Sequence, residues 1–165
     1  MIWLSDKIRK SSRHFDKIGF TLSYLVMPRI ETLPLEKKEE LKNRLIREHY
    51  AIEKALMEYM KIVHEEYSKD PAKYKKYIND VFKNIRDRLL PHFEFEEKEL
   101  FPLFKEYPFV KEFLSKQEKF IKTIENAIRK RNMGKKIQIL EKLAKLLKSH
   151  GDKENTRILP LLAHH

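Results

Sequence analysis

The chain has 165 residues, 41% hydrophobic and 37% charged, with no cysteine and a formal net charge of +11. That length holds one domain with a core of its own and not two. The lack of cysteine excludes disulfides, thiolate zinc sites, iron–sulfur clusters and thiol catalysis, and fits a cytoplasmic protein, so any metal must be held by nitrogen and oxygen.

Three glycines and an abundance of Lys, Glu, Leu and Ile favour long helices, because straight-chain residues lose little rotamer freedom there. The expected fold class is all-α. The positive charge admits a nucleic-acid or acidic-membrane partner, but charges of both signs alternate along the helices, which reads as solvated surface.

Ser5 is an N-cap candidate, and Leu4, Ile8, Phe15, Ile18, Leu22 and Leu25 follow at helical spacing. Residues 1–33 are read as an amphipathic helix, ended by Pro28 and packed on a bundle formed by residues 34–165. The nearly apolar run Ile18 to Met27 is about half the length that a bilayer span needs. No small-residue cleavage pattern follows it, so neither a membrane span nor a secretory signal is expected.

Pro34 opens the next helix, whose stripe runs Leu41, Leu45, His49, Ile52, Leu56, Tyr59 and Val63. Asp70-Pro71 supplies an N-cap and a first-turn proline for a second stripe: Ile78, Val81, Ile85, Leu89, His92, Glu96 and Leu100. Pro91 inside it predicts a kink beside His92. After a turn at Glu106-Tyr107-Pro108 the third stripe carries Val110, Phe113, Gln117, Ile121, Ile124 and Ile128, ending at Met133-Gly134 with a left-handed cap. The last stripe carries Ile137, Leu140, Leu143, Leu147, His150, Glu154, Ile158 and Leu161.

Connections this short make the four helices run up, down, up and down. Counting from the turns, His49 lies about 21 residues before Asp70 and His92 about 22 after it; Glu96 and Gln117 lie about 11 and 10 from Tyr107, and Gln117 and His150 about 17 and 16 from Gly134. The inward polar side chains therefore meet at one level.

A lone inward histidine is usually a core residue with a satisfied hydrogen bond. Three histidines with two glutamates at one level are different, because each buried carboxylate costs several kcal/mol unless it is paired or binds a cation. Imidazole and carboxylate without thiolate suit iron first, with zinc or manganese next. The competing reading is a degenerate bundle whose polar layer satisfies itself with hydrogen bonds and water.

The repeated pattern His92-x-x-x-Glu96-Glu97…Leu100-Phe101-Pro102 and His150-x-x-x-Glu154…Ile158-Leu159-Pro160, with Glu48-His49 before it, resembles the haemerythrin-like HHE cation-binding domains over about residues 36 to 162. That resemblance implies a four-helix bundle with a carboxylate-bridged di-iron centre that binds oxygen or related small ligands. His49, His92 and His150 match terminal ligands, and Glu96 and Glu154 the bridging carboxylates. The third helix departs from the pattern, since Gln117 stands where a histidine is expected, flanked one turn away by Phe113 and Ile121. The expected centre is then mononuclear or asymmetric, with Gln117 a weak oxygen ligand or a hydrogen-bond donor to Glu96 or Glu154.

Glu53 falls at the edge of its stripe and His64 about 22 Å along the helix from His49, so neither is expected to join the centre. Lys73-Tyr-Lys-Lys and Arg129-Lys-Arg read as solvated faces, and His164 and His165 receive no role. The functional expectation is a metal-binding protein that binds or senses oxygen, nitric oxide or peroxide, or holds the metal. The alternatives are a basic interaction or nucleic-acid-binding module with a degenerate site, and an iron-dependent redox or iron-centre repair enzyme.

Overall fold

The computed structural model describes residues 29–67 and 69–163; the expected N-terminal helix lies outside them up to residue 28. A short 3-10 turn, Ile30–Thr32, leads into four helices. They are α1 (Leu35–Tyr67), α2 (Pro71–Phe95), α3 (Phe109–Arg129) and α4 (Met133–Ala163). α1 packs against α2 and α4, α3 packs against the same two, and α2 also touches α4 across the bundle. The described residues form the all-α bundle that the three-and-four spacing predicts.

The core is split. One apolar cluster gathers Leu56, Val63, Ile78, Phe82, Ile85, Leu89, Phe120, Ile124, Leu140, Leu143 and Leu147. The other gathers Ile30, Leu41, Leu45, Leu100, Phe101, Phe104, Phe109, Phe113, Ile158 and Leu162. On every helix the polar residue of the stripe falls between them: His49 between Leu45 and Leu56, His92 and Glu96 between Leu89 and Leu100, Gln117 between Phe113 and Phe120, His150 and Glu154 between Leu147 and Ile158. The apolar clusters on both sides, at about 1.5–3 kcal/mol per buried large side chain, stabilise a layer that is costly to bury alone.

Two local features depart from the expected pattern or add to it. α2 runs through Pro91, which has no N–H to give the carbonyl four residues back, to Phe95, and a further irregularity follows as a π turn over Glu96–Leu100. The Phe101 N–H donates there to the Glu96 carbonyl, five residues back. Pro102 has no N–H to continue the ladder, and a 3-10 turn, Phe101–Phe104, finishes the segment. π turns are frequent at functional sites, and this one begins on Glu96. Its sequence twin Pro160 is accommodated inside regular α4, so equal motifs give unequal backbones.

One expectation is corrected, at the α3–α4 connection. α3 stops at Arg129 with extended backbone at Lys130, and among the described residues no backbone has positive φ. Met133 and Gly134 begin α4 instead of ending α3. Asn132 is the cap: its Oδ1 accepts from the Lys135 N–H at 3.0 Å, the role for which a short amide side chain is preferred at a helix start.

Candidate metal centre

His92, Glu96, Gln117, His150 and Glu154 are buried, at 4% exposure or less, and His49 is half-buried. Donor atoms of His49, His92 and Glu96 lie within 4.8 Å of one another, a set able to take one metal ion. The two imidazoles meet edge to face with centroids 4.8 Å apart, and His92 Nε2 is 2.8 Å from Glu96 Oε1. His150 and Glu154 form the other half, Nε2 to Oε1 at 2.6 Å. That approach lacks hydrogen-bond alignment, for His150 Nε2 has no hydrogen-bond partner. The two halves are joined by a cavity of about 40 Å³ lined by His49, His92, His150 and Glu154.

Two residues outside the stripes set the imidazoles. His49 Nδ1 is 2.8 Å from Asn155 Oδ1, and His92 Nδ1 is 3.2 Å from Glu48 Oε1. Both acceptors are oxygens, which assigns the proton to each Nδ1 and aims each Nε2 inward, the arrangement by which outer partners orient metal-binding histidines. Glu48 is itself fixed by Arg44 Nε at 2.6 Å, while Arg44 bonds Glu99 at 2.7 Å and stacks 3.9 Å over the Phe95 ring. Burial works to raise the Glu48 carboxyl, but His92 and Arg44 outweigh it and hold it below its ordinary range. The sequence pattern includes Glu48 in the Glu48-His49 pair but gives it no role, and it leaves out Asn155, although that residue directly neighbours Glu154.

The electrostatics of the two halves are opposite. Burial pulls His92 down, yet Glu96 and Glu48 on either side hold its imidazole up at about 9. Burial pushes His150 down to about 4; Glu96 opposes this, and Lys116, His49 and His92 add to it. The 2.6 Å approach to Glu154 would ordinarily raise His150, but without an aligned hydrogen bond desolvation prevails. Phe113 and Phe120 wall the ring edge-on, each at 5.3 Å. Burial also lowers His49, partly offset by Glu96.

Gln117 faces the layer and its Nε2 donates to Glu96 Oε1 at 3.2 Å, while its Oε1 has no partner. Glu53 stands at the cavity rim with its carboxylate 3.6 Å from Lys148, and His64 lies outside the layer, 3.4 Å from Glu141. Tyr50 is exposed, and Tyr59 packs on the first apolar cluster.

A four-helix bundle with imidazoles and carboxylates in its core is the architecture of a helical cation-binding domain. The chain belongs to the hemerythrin HHE cation binding domain family, whose model matches residues 40–162. Neither the curated proteins nor the solved structures contain a match. Among the described residues no helix is long and apolar enough to cross a membrane.

Replacing Glu48 by Ala is expected to lower metal affinity about 10- to 100-fold, since His92 loses its orienting acceptor, with helical content unchanged. Chelator competition measures this, and an unaltered affinity would remove Glu48 from the site.

Proposed function

We propose that this protein holds one transition-metal ion, iron first and zinc or manganese next, on His49, His92 and Glu96, with His150 and Glu154 on the other side of an asymmetric centre, and that it binds or senses a small ligand such as oxygen, nitric oxide or peroxide. The observation that carries this reading is a set of unpartnered buried atoms. They are His49 Nε2, Glu96 Oε2, both ring nitrogens of His150, Glu154 Oε2 and Gln117 Oε1. An orphaned buried polar atom costs about 1–3 kcal/mol, and more if charged. A layer that had become self-sufficient through its own hydrogen bonds would not keep six. The donors are hard nitrogen and oxygen atoms, a fit to the metals named.

Bound there, iron would supply an open coordination position and one-electron chemistry for a small ligand. The chain supplies the rest. Asn155 and Glu48 orient His49 and His92, and the Gln117 amide restrains one Glu96 oxygen. Leu56, Leu89, Phe93 and Leu147 give the cavity an apolar side opposite its imidazole and carboxylate donors. α3 contributes an amide and phenyl rings, no imidazole, which supports a single well-held ion.

Elemental analysis after anaerobic reconstitution with ferrous iron is expected to give about one equivalent, as for a site whose ligands are preformed by the fold. Less than about a tenth of an equivalent of any transition metal would overturn the metal reading, and two equally tight equivalents the asymmetry.

A further inference from the structure

The outer face of α4 is an open surface carrying Lys145, Lys148, Lys153 and Arg157, with the hydroxyls of Ser149 and Thr156 between them and Asp152 as the single acid. Elsewhere some cations are matched with carboxylates, such as Lys37 with Glu40 at 3.0 Å, Lys122 with Glu118 at 3.0 Å and Lys98 with Glu94, and others stand singly on mixed-charge faces. Among the described residues, Lys145, Lys153 and Arg157 make no ion pair. Lys116 of α3, bonded to Glu112 at 3.2 Å, adds a further cation to this face. These cations outnumber the acids beside them, Asp152 and Glu112, so like charges repel one another in the free protein, and an anion laid along them reduces the repulsion.

We infer that this ridge of α4 is a docking surface for the phosphate backbone of a nucleic acid. From Lys145 to Arg157 the helix rises about 18 Å at 1.5 Å per residue, a span of about five nucleotides at 3.4 Å per step of one strand. Lysine, arginine and hydroxyl side chains on one helical face are the groups that contact phosphates without reading bases. A membrane surface fits less well. A helix that lies in a bilayer interface needs its own apolar face free, and that of α4, carrying Leu140, Leu143, Leu147, Ile158 and Leu162, is spent in the core. The docking surface does not depend on the metal reading.

The test is fluorescence anisotropy of a labelled 20-nucleotide DNA, single- and double-stranded, with the full chain as a function of salt. Lys145→Glu/Lys153→Glu/Arg157→Glu is expected to bind at least tenfold more weakly at 50 mM salt, with the slope of log K against log salt falling by roughly two to three. Lys148 is left intact because it also lines the metal cavity. Lys61→Glu/Lys75→Glu/Lys83→Glu changes net charge equally on other faces and is expected to lose much less. Equal loss in both variants would reduce the effect to net charge and overturn the assignment. So would absence of DNA binding at 50 mM salt, or ridge-dependent binding to vesicles of anionic lipid without binding to DNA.

Discussion

His92→Ala is expected to lose at least nine-tenths of the bound metal and to destabilise the metal-free protein by about 3–5 kcal/mol, the range for breaking a buried ion pair by removing one partner. The size follows from its place between two carboxylates, with Glu48 Oε1 at 3.2 Å on Nδ1 and Glu96 Oε1 at 2.8 Å on Nε2. Without the ring, Glu96 keeps only the neutral Gln117 amide among its hydrogen bonds, and Glu48 keeps Arg44. His150→Ala removes an imidazole that burial holds neutral, so its effect on the metal-free fold is a cavity effect and smaller. Elemental analysis and denaturant titration of both variants separate the halves. Equal destabilisation in the two would contradict the unequal electrostatics of the layer.

The six residues at the bundle's waist were legible in the sequence because an inward position is a matter of period. His49, His92, Glu96, Gln117, His150 and Glu154 each continue a three-and-four stripe of apolar residues, and short connections set their common height. The orienting roles of Glu48, quoted only as half of the Glu48-His49 pair, and of Asn155 were not legible, because each sits about 100° round its helix from the inward direction. Whether such a flanking residue meets solvent or a neighbouring helix depends on how the helices are rotated against one another. The π turn has the same character: Pro102 and Pro160 occupy equal places in the repeated motif, yet one follows a π turn and the other lies within regular helix. The cap at Asn132 was misjudged because Met133-Gly134 carries a stop signal that local capping by Asn132 overrides. The α4 ridge escaped because its cations are spread at helical intervals and not clustered in sequence like Lys73-Tyr-Lys-Lys.

The opposite shifts of His92 and His150 predict a peaked stability profile for the metal-free protein. His92 is held up at about 9 when folded, against 6.5 when unfolded. The folded chain then binds the extra proton between those values, and the stabilisation is complete below pH 6.5 and lost as pH rises through about 9. His150 is pushed down to about 4. There the unfolded chain binds the extra proton, so its stabilisation is complete above pH 6.5 and lost as pH falls through about 4. Each limb is worth on the order of 3 kcal/mol, and stability should peak near neutrality. Urea denaturation between pH 4 and 9.5 measures the profile. The alkaline limb should vanish in His92→Ala and the acid limb should shrink in His150→Gln, whereas a wild-type profile flat from 6.5 to 9 would remove the imidazolium from between Glu48 and Glu96. Metal binding runs against the alkaline limb, because a ligating His92 must first give up its Nε2 proton. Affinity for a divalent ion should therefore rise with pH up to about 9, over the same range in which the metal-free fold weakens. On the proposed reading the Nε2 proton of His92 and a metal ion are alternative cations beside Glu96, while Glu48 keeps the Nδ1 proton in both states.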